Sequence, residues 1–539
     1  MIGDGPLVAS AVLGPAVASV AWLVLSRWPA ARRTTGGTAA GLAHAAAWVL
    51  TARLYRGDTP EWRGLSPGLL EATILVVVEL GVMLVALRTE RLRPGQATAV
   101  FVALGAATSA VAYGSFSSSL AVMGLALPVP TLAVISAGLV EGRTGLRGAL
   151  GLIAADLVGL VGLSFLVADA GSSLAGPVSS PGVGLLLAAA ALKAGAIPGV
   201  ATWALTASGP GGGVLGTVLR GQGMALAAVA CLQASRAPQH LGVAALGAAA
   251  VLAAGGAALL ARRSWDAAAA VAGAAAGVPL LAAGMGGAVG ARAFLLLFPA
   301  FLLASALLVS LVPSDPPAPG SRTGGWAGPP ALAVAAASLA AVPPAAAFPG
   351  AWLVLELASA RAATDPSWLL LAGSAAAGLG LAGVASVPLI RAARPRTGLT
   401  VAAVALSGFL LYMGAAPVRL TLGWLVRVER AVGLPEILPT AGAPDLPALP
   451  EGALVPAMAA GAVVAMALLV LGRGVRAQDA GFEPTVVLRL PAPVAGAAAA
   501  GRRAVDRLPV LVAALGLAGA GVLALLIRLV AQAAGQGFL

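Results

Sequence analysis

The sequence predicts an all-α polytopic membrane protein of about 14 to 16 transmembrane helices, each a run of about 20 apolar residues. Three observations carry that prediction. Of 539 residues, 59% are hydrophobic and only 10% are charged, whereas soluble domains carry about 25% charged residues. The mean hydropathy is +0.97. Apolar runs long enough to cross a bilayer recur along nearly the whole chain. The long Ala, Gly and Leu tracts belong to the same signal, because packed membrane helices place small residues at their contacts.

The first run, "GPLVASAVLGPAVASVAWLVLS", has no basic residue before it, only Asp4, and no small-residue cleavage site. It is expected to be a retained span and not a signal peptide. Further spans are expected near 37–55, 69–88, 97–114, 118–140, 147–168, 183–206, 213–233, 240–261, 267–288, 292–312, 329–358, 367–390 and 398–416. An amphipathic piece with Trp424, Arg427, Glu429 and Arg430 follows, then the loop "GLPEILPTAGAPDLPALPEG" and two spans near 452–472 and 508–531. The stretch "PSDPPAPGSRTGGWAG" is the other linker, and no segment has the size or polarity of a soluble catalytic domain.

The formal net charge of +12 comes from arginines in short loops, a matter of topology and not of nucleic-acid binding. Arg27, Arg32 and Arg33 follow the first span, Arg88, Arg91 and Arg93 the third, Arg143 and Arg147 the fifth, Arg262 and Arg263 the ninth, and Arg391, Arg394 and Arg396 the thirteenth. Alternate loops are poorer in arginine, apart from Arg53, Arg56 and Arg63. The positive-inside rule then places the N-terminus outside a cytoplasmic membrane.

Two spans are interrupted by proline. The seventh carries Pro198 and the twelfth carries Pro343, Pro344 and Pro349. A proline removes a backbone donor, and a membrane helix tolerates the break where protein or a cavity satisfies the freed groups. Matching interruptions in two halves predict two inverted five-helix repeats, spans 4 to 8 and 9 to 13, with a transport path at mid-membrane. The expected organisation is three N-terminal helices (1–95), a first repeat (96–235), a second repeat (236–390) and a C-terminal part (391–539).

Lys193, the only lysine in the chain, lies inside the seventh span. Ionisable residues in spans are expensive and functional by default. A buried ammonium can release a proton, which arginine effectively cannot. Two readings stay open: a proton carrier, or a fixed positive charge holding the broken helix with an acid such as Asp156. The remaining charges in spans are Glu79, Asp156, Arg220 and Glu356, joined by His44. Arg220 suits a fixed charge that tunes a neighbour. Asp156 reads equally as the local acid of the lysine or as a helix-end carboxylate. Glu79 and Glu356 read as packing-interface or headgroup residues, and His44 and His240 are too isolated for a metal site.

The stretch "LKAGAIPGVATWALTASGPGGGVLGTVLRGQG" resembles the seventh and eighth helices of the antiporter-like subunits shared by respiratory complex I (NADH-quinone oxidoreductase), membrane-bound hydrogenases and Mrp-type cation/proton antiporters. "LAAVPPAAAFPGAWLVLELA" is similar to that family's broken twelfth helix, and "RGALGLIAADLVGLVGLSFLVA" to its sixth. The resemblance covers roughly residues 95 to 415, and implies a proton path through Lys193, with Asp156, Arg220 and Glu356 as its further candidates. The chain departs from the family where a fifth-helix glutamate is expected, at Leu127 and Pro128, and in the tenth and eleventh spans, which lack the mid-membrane base. In the twelfth, the usual charged position falls near Ala351.

No phosphate loop, paired-cysteine metal motif, flavin or nicotinamide fingerprint or nucleophile constellation is found, and the single Cys231 excludes a disulfide framework. No cofactor is expected in this chain. Quinone, flavin or iron-sulfur centres would lie on partner subunits of a respiratory or hydrogenase-like complex, and the transported ion would be H⁺ or Na⁺. The alternatives are a non-pumping scaffold paralogue, an Mrp-type antiporter subunit, and a stand-alone secondary transporter.

Overall fold

The computed structural model describes residues 3–24, 28, 37–61, 68–86, 127–128, 131, 146–170, 180–196, 212–234, 241–261, 264–312, 328–362, 364–392, 397–415 and 424–431. Among them the chain is helical, with no strand. The helices are α1 (Asp4–Val24), α2 (Gly37–Arg56), α3 (Leu69–Ala86), α4 (Leu146–Ala170), α5 (Ser180–Ala194), α6 (Gly212–Ala234), α7 (Leu241–Leu260), α8 (Ser264–Met285), α9 (Gly287–Leu311), α10 (Gly328–Leu339), α11 (Phe348–Ala362), α12 (Ser367–Ala392), α13 (Thr397–Ala415) and the short α14 (Val426–Ala431). This is an all-α polytopic membrane protein. Four described helices, over Leu241–Leu259, Ser264–Met285, Gly287–Leu311 and Ser367–Ile390, are each long and apolar enough to cross a bilayer alone. The spans expected near 97–114, 452–472 and 508–531, and most of 118–140, lie outside the described residues.

The core lies around α8 and α9, which are buried along nearly their whole length. α9 packs against α3, α6, α8, α10, α11 and α13, so α3 and the later helices share one hydrophobic core, while α1 and α2 pack on α3 in a second, smaller cluster. Small residues set the approach of the helices, as they do where lipid tails leave no hydrophobic drive between them. A Cβ on Gly277 would meet Gly247 O at 2.8 Å, and one on Gly255 would meet Gly378 O at 2.1 Å, so α7 lies backbone to backbone on α8 and α12. The outer faces of α12 and α13 are apolar and open, with Leu370 73% and Val401 77% exposed, as lipid-facing surfaces are.

The expected break in the twelfth span is present. α10 ends at Leu339, residues 340–347 are non-helical, and α11 starts at Phe348 with Pro349 in its first turn. Pro343–Pro344 is a cis peptide. Pro198 lies outside the described residues, and the structure puts the end of α5 earlier, at Ala194. Both half-helices finish in one cap. Gly195 has φ 80°, with Gly195 N bonded to Leu192 O and Ala196 N to Ala191 O; Ala341 has φ 53°, with Ala341 N bonded to Ser338 O and Val342 N to Ala337 O. These are paired Schellman caps, which return two orphan carbonyls to the hydrogen-bond inventory.

Candidate functional site

Lys193 sits in the last turn of α5, where the free carbonyls of a helix end favour a positive charge. Its side chain is buried, and its Nζ donates to the backbone oxygen of Leu127 at 2.7 Å and to Gln222 Oε1 at 2.5 Å. Asp156 Oδ1 lies 2.5 Å from the same Nζ as an ion pair, off the direction of a hydrogen bond. An ammonium carries three N–H groups, and three oxygens surround this one. The arrangement stabilises the charged form of the site through an opposite charge and two dipoles.

Glycines bring the three helices close enough for these contacts. A Cβ on Gly162 of α4 would stand 3.0 Å from Leu186 N of α5, which presses Asp156 towards the lysine helix. On the other side, a Cβ on Gly223 of α6 would stand 2.6 Å from Ala194 N, which sets Gln222 beside Lys193. Leu127 lies where the expected fifth-helix glutamate is missing. Its carbonyl accepts from Lys193 Nζ, and Pro130, three residues on, has no N–H to compete for it.

Asp156 and Lys193 are therefore brought together. Arg220 is buried on α6, two residues before Gln222, and its Nη1 has no hydrogen-bond partner. It is not in contact with Lys193. Glu356 lies on α11, half-buried, away from the lysine cluster, and its Oε2 is unpartnered. The residue that sequence reasoning missed is Gln222, an amide in an apolar helix whose signal was its own polarity. His44 has a partner that the sequence did not show. Its Nδ1 lies 3.2 Å from Glu79 Oε2, so neither residue is a lone packing or headgroup group. Among the described residues no group of three metal-ligating side chains occurs.

At the second break, the place that Lys193 holds before Gly195 is taken before Ala341 by Leu339, which is buried. Ala351, where the family resemblance expects a charge, is a partly buried residue of α11. A gap of about 10 Å³, room for about one water, is lined there by Pro279, Leu297, Phe301, Ser338 and Leu339, and Ser338 Oγ has no partner.

No protein-family model and no curated protein matches the sequence. Solved structures do match in fold. A chain of the membrane-bound sulfane sulfur reductase, an archaeal respiratory membrane complex, aligns with TM-score 0.63 at 19% identity over 98% of this chain and 99% of that one. A chain of the Mrp complex from Dietzia sp. DQ12-45-1b aligns with TM-score 0.62 at 16% identity, over 95% of this chain and 63% of that one. A chain of respiratory complex I from Thermus thermophilus aligns with TM-score 0.57 at 20% identity, over 76% of this chain and 98% of that one.

Proposed function

We propose that this chain is an antiporter-like membrane subunit of a redox-driven, proton-translocating assembly, complex I-like or hydrogenase-related, and that Lys193 and Asp156 exchange a proton within the membrane. The observation that carries this reading is the buried ion pair of the only lysine, at the end of a broken helix. A proton passing from Nζ to Asp156 leaves an amine and a carboxylic acid, both neutral. In a low-dielectric interior that removes the desolvation cost of two ions, so a change of charge on a partner subunit can tip the pair either way. Gln222 and the Leu127 carbonyl hold the ammonium when the proton returns. Arginine could supply the charge but not the transfer. Arg220 acts in this reading as a fixed positive charge beside the path, and Glu356 as a member of an exit on the α11 side.

The redox centres, quinone, flavin or iron-sulfur, belong to partner subunits, and the assembly sits in the cytoplasmic membrane with this chain's N-terminus outside. The two-repeat organisation belongs to the same reading and is supported by the matching caps at Gly195 and Ala341. One observation favours a second reading. Leu339 and Ala351 leave the second break without an ionisable group, as expected of a scaffold that has lost pumping. Proton translocation in inverted vesicles holding the intact assembly separates the two. Lys193→Arg is expected to assemble and fail to pump; unchanged pumping in Lys193→Arg would leave the scaffold reading standing.

A further inference from the structure

We propose that His44 and Glu79 form a second proton-binding site, in the N-terminal three-helix unit and separate from Lys193, with His44 Nε2, under Trp48, as the atom that takes up the proton. His44 lies near the middle of α2 and Glu79 near the middle of α3. Their side chains are 14% and 7% exposed, and His44 Nδ1 stands 3.2 Å from Glu79 Oε2. Trp48, one turn along α2, closes the other side, its Nε1 donating to His44 Nε2 at 2.8 Å.

The hydrogen bonds fix the resting protonation. An indole N–H is a donor only, so Nε2 must offer its lone pair and the one proton of the neutral imidazole sits on Nδ1. Glu79 Oε2 then accepts, while Glu79 Oε1 is buried with no partner. A neutral imidazole beside a carboxylate carries one uncompensated negative charge. Inside the membrane such a charge is costly, and one added proton cancels it.

Among the described residues no other charge does so. Of the elements packed on α2 and α3, α1 brings only Asp4, which bonds Arg53 at the far end of α2. α6 brings Arg220, which makes no contact with Glu79, and α9 brings Arg292, which has a partner of its own and does not bond Glu79. The short α14 brings Arg427, which stacks 4.0 Å over the Tyr55 ring. On α3 itself, Glu71 is two turns from Glu79. Among the described residues, His44 is the charged or titratable side chain in contact with Glu79.

When the proton joins Nε2, the imidazolium can no longer accept from Trp48, and the indole loses its bond to a ring that has become a stronger fluorescence quencher. Trp48 is thus a built-in reporter. The experiment is tryptophan emission of the full-length chain in lipid nanodiscs against pH, with difference spectra between wild type and Trp48→Phe. A Trp48-dependent change of emission with pH is expected. It should vanish in His44→Gln and change its midpoint in Glu79→Gln. It should persist in Lys193→Arg, whatever becomes of pumping there. A transition that survives His44→Gln, that keeps its midpoint in Glu79→Gln, or that is absent from the wild type would overturn the proposal. Its loss in Lys193→Arg would overturn the separateness of the two sites.

Discussion

Lys193 Nζ and Asp156 Oδ1 lie 2.5 Å apart, with both residues less than 5% exposed. Two opposite charges this deeply buried hold each other in place, because either one alone would face the full desolvation cost. Asp156→Asn or Lys193→Met should each destabilise the chain by about 3–5 kcal/mol. The double variant should lose much less than the sum, since no charge is left unpaired. Chemical denaturation of the purified chain in one detergent, carried through all four members of the cycle, measures the coupling. Additive losses would show that the two charges do not depend on each other.

Gln222 supplies an acceptor 2.5 Å from the same ammonium. Gln222→Leu removes it and should cost about 1.5–3 kcal/mol, the range for a hydrogen bond to a charged group. Gln222→Glu should restore stability but add a second carboxylate beside Lys193. Proton translocation should then fall while assembly is normal, because the ammonium is held too tightly to release its proton. Stability and translocation measured on the two variants separate holding from transfer.

Outside the spans, Asp365 accepts a hydrogen bond from Ser367 N at 2.9 Å at the start of α12. Bonds from Ser367 hold its carboxyl below the usual carboxylate range. A depressed carboxyl stabilises the fold above its unfolded value of about 3.9, and that contribution disappears as pH falls through the folded value. The first amides of α12 should therefore lose protection, measured against the unstructured exchange rate at the same pH, below about pH 4 in wild type. Asp365→Ala should show fast exchange already at neutral pH, and hydrogen exchange of Ser367 and Trp368 checks both.

The bilayer made much of this fold legible. A span needs a fixed length of apolar chain, so positions such as 264–285 and 287–311 could be read from hydropathy alone. The break at 340–347 was legible in Pro343 and Pro344, because proline leaves a helix without a donor. The end of α5 at Ala194 was not legible, because the cap is made by the backbone of Gly195, and one glycine among 71 carries no mark of its φ. Asp156 stood out as an acid in an apolar run. That it reaches Lys193 depends on how closely Gly159 and Gly162 let α4 approach α5. The Leu127 oxygen was invisible for a simpler reason: every residue has a carbonyl, and only the fold shows which one is free. The pairing of His44 with Glu79 needed the rotational phase of two helices, which hydropathy alone does not fix.

Gly195 and Ala341 occupy the same cap position, yet only one of them suits it. A left-handed conformation costs a residue with a Cβ roughly 1–2 kcal/mol, and glycine nothing. Ala341 holds that conformation at φ 53°. Ala341→Gly relieves it but gives the unfolded chain more freedom, so the net change should be a gain of up to about 1 kcal/mol. Gly195→Ala should cost about 1 kcal/mol by the same rule. Gly273→Ala tests whether the first cap is also pressed from outside, since a Cβ there would stand 2.3 Å from Gly195 O. That contact is with backbone, which cannot swing aside, so the loss should reach about 1–3 kcal/mol and exceed that of Gly195→Ala. Denaturation of the three variants gives the order directly. If Ala341→Gly destabilised the chain as an alanine-to-glycine change inside a helix does, the strain at Ala341 would not limit stability, and the two caps would be alike in energy as well as in geometry.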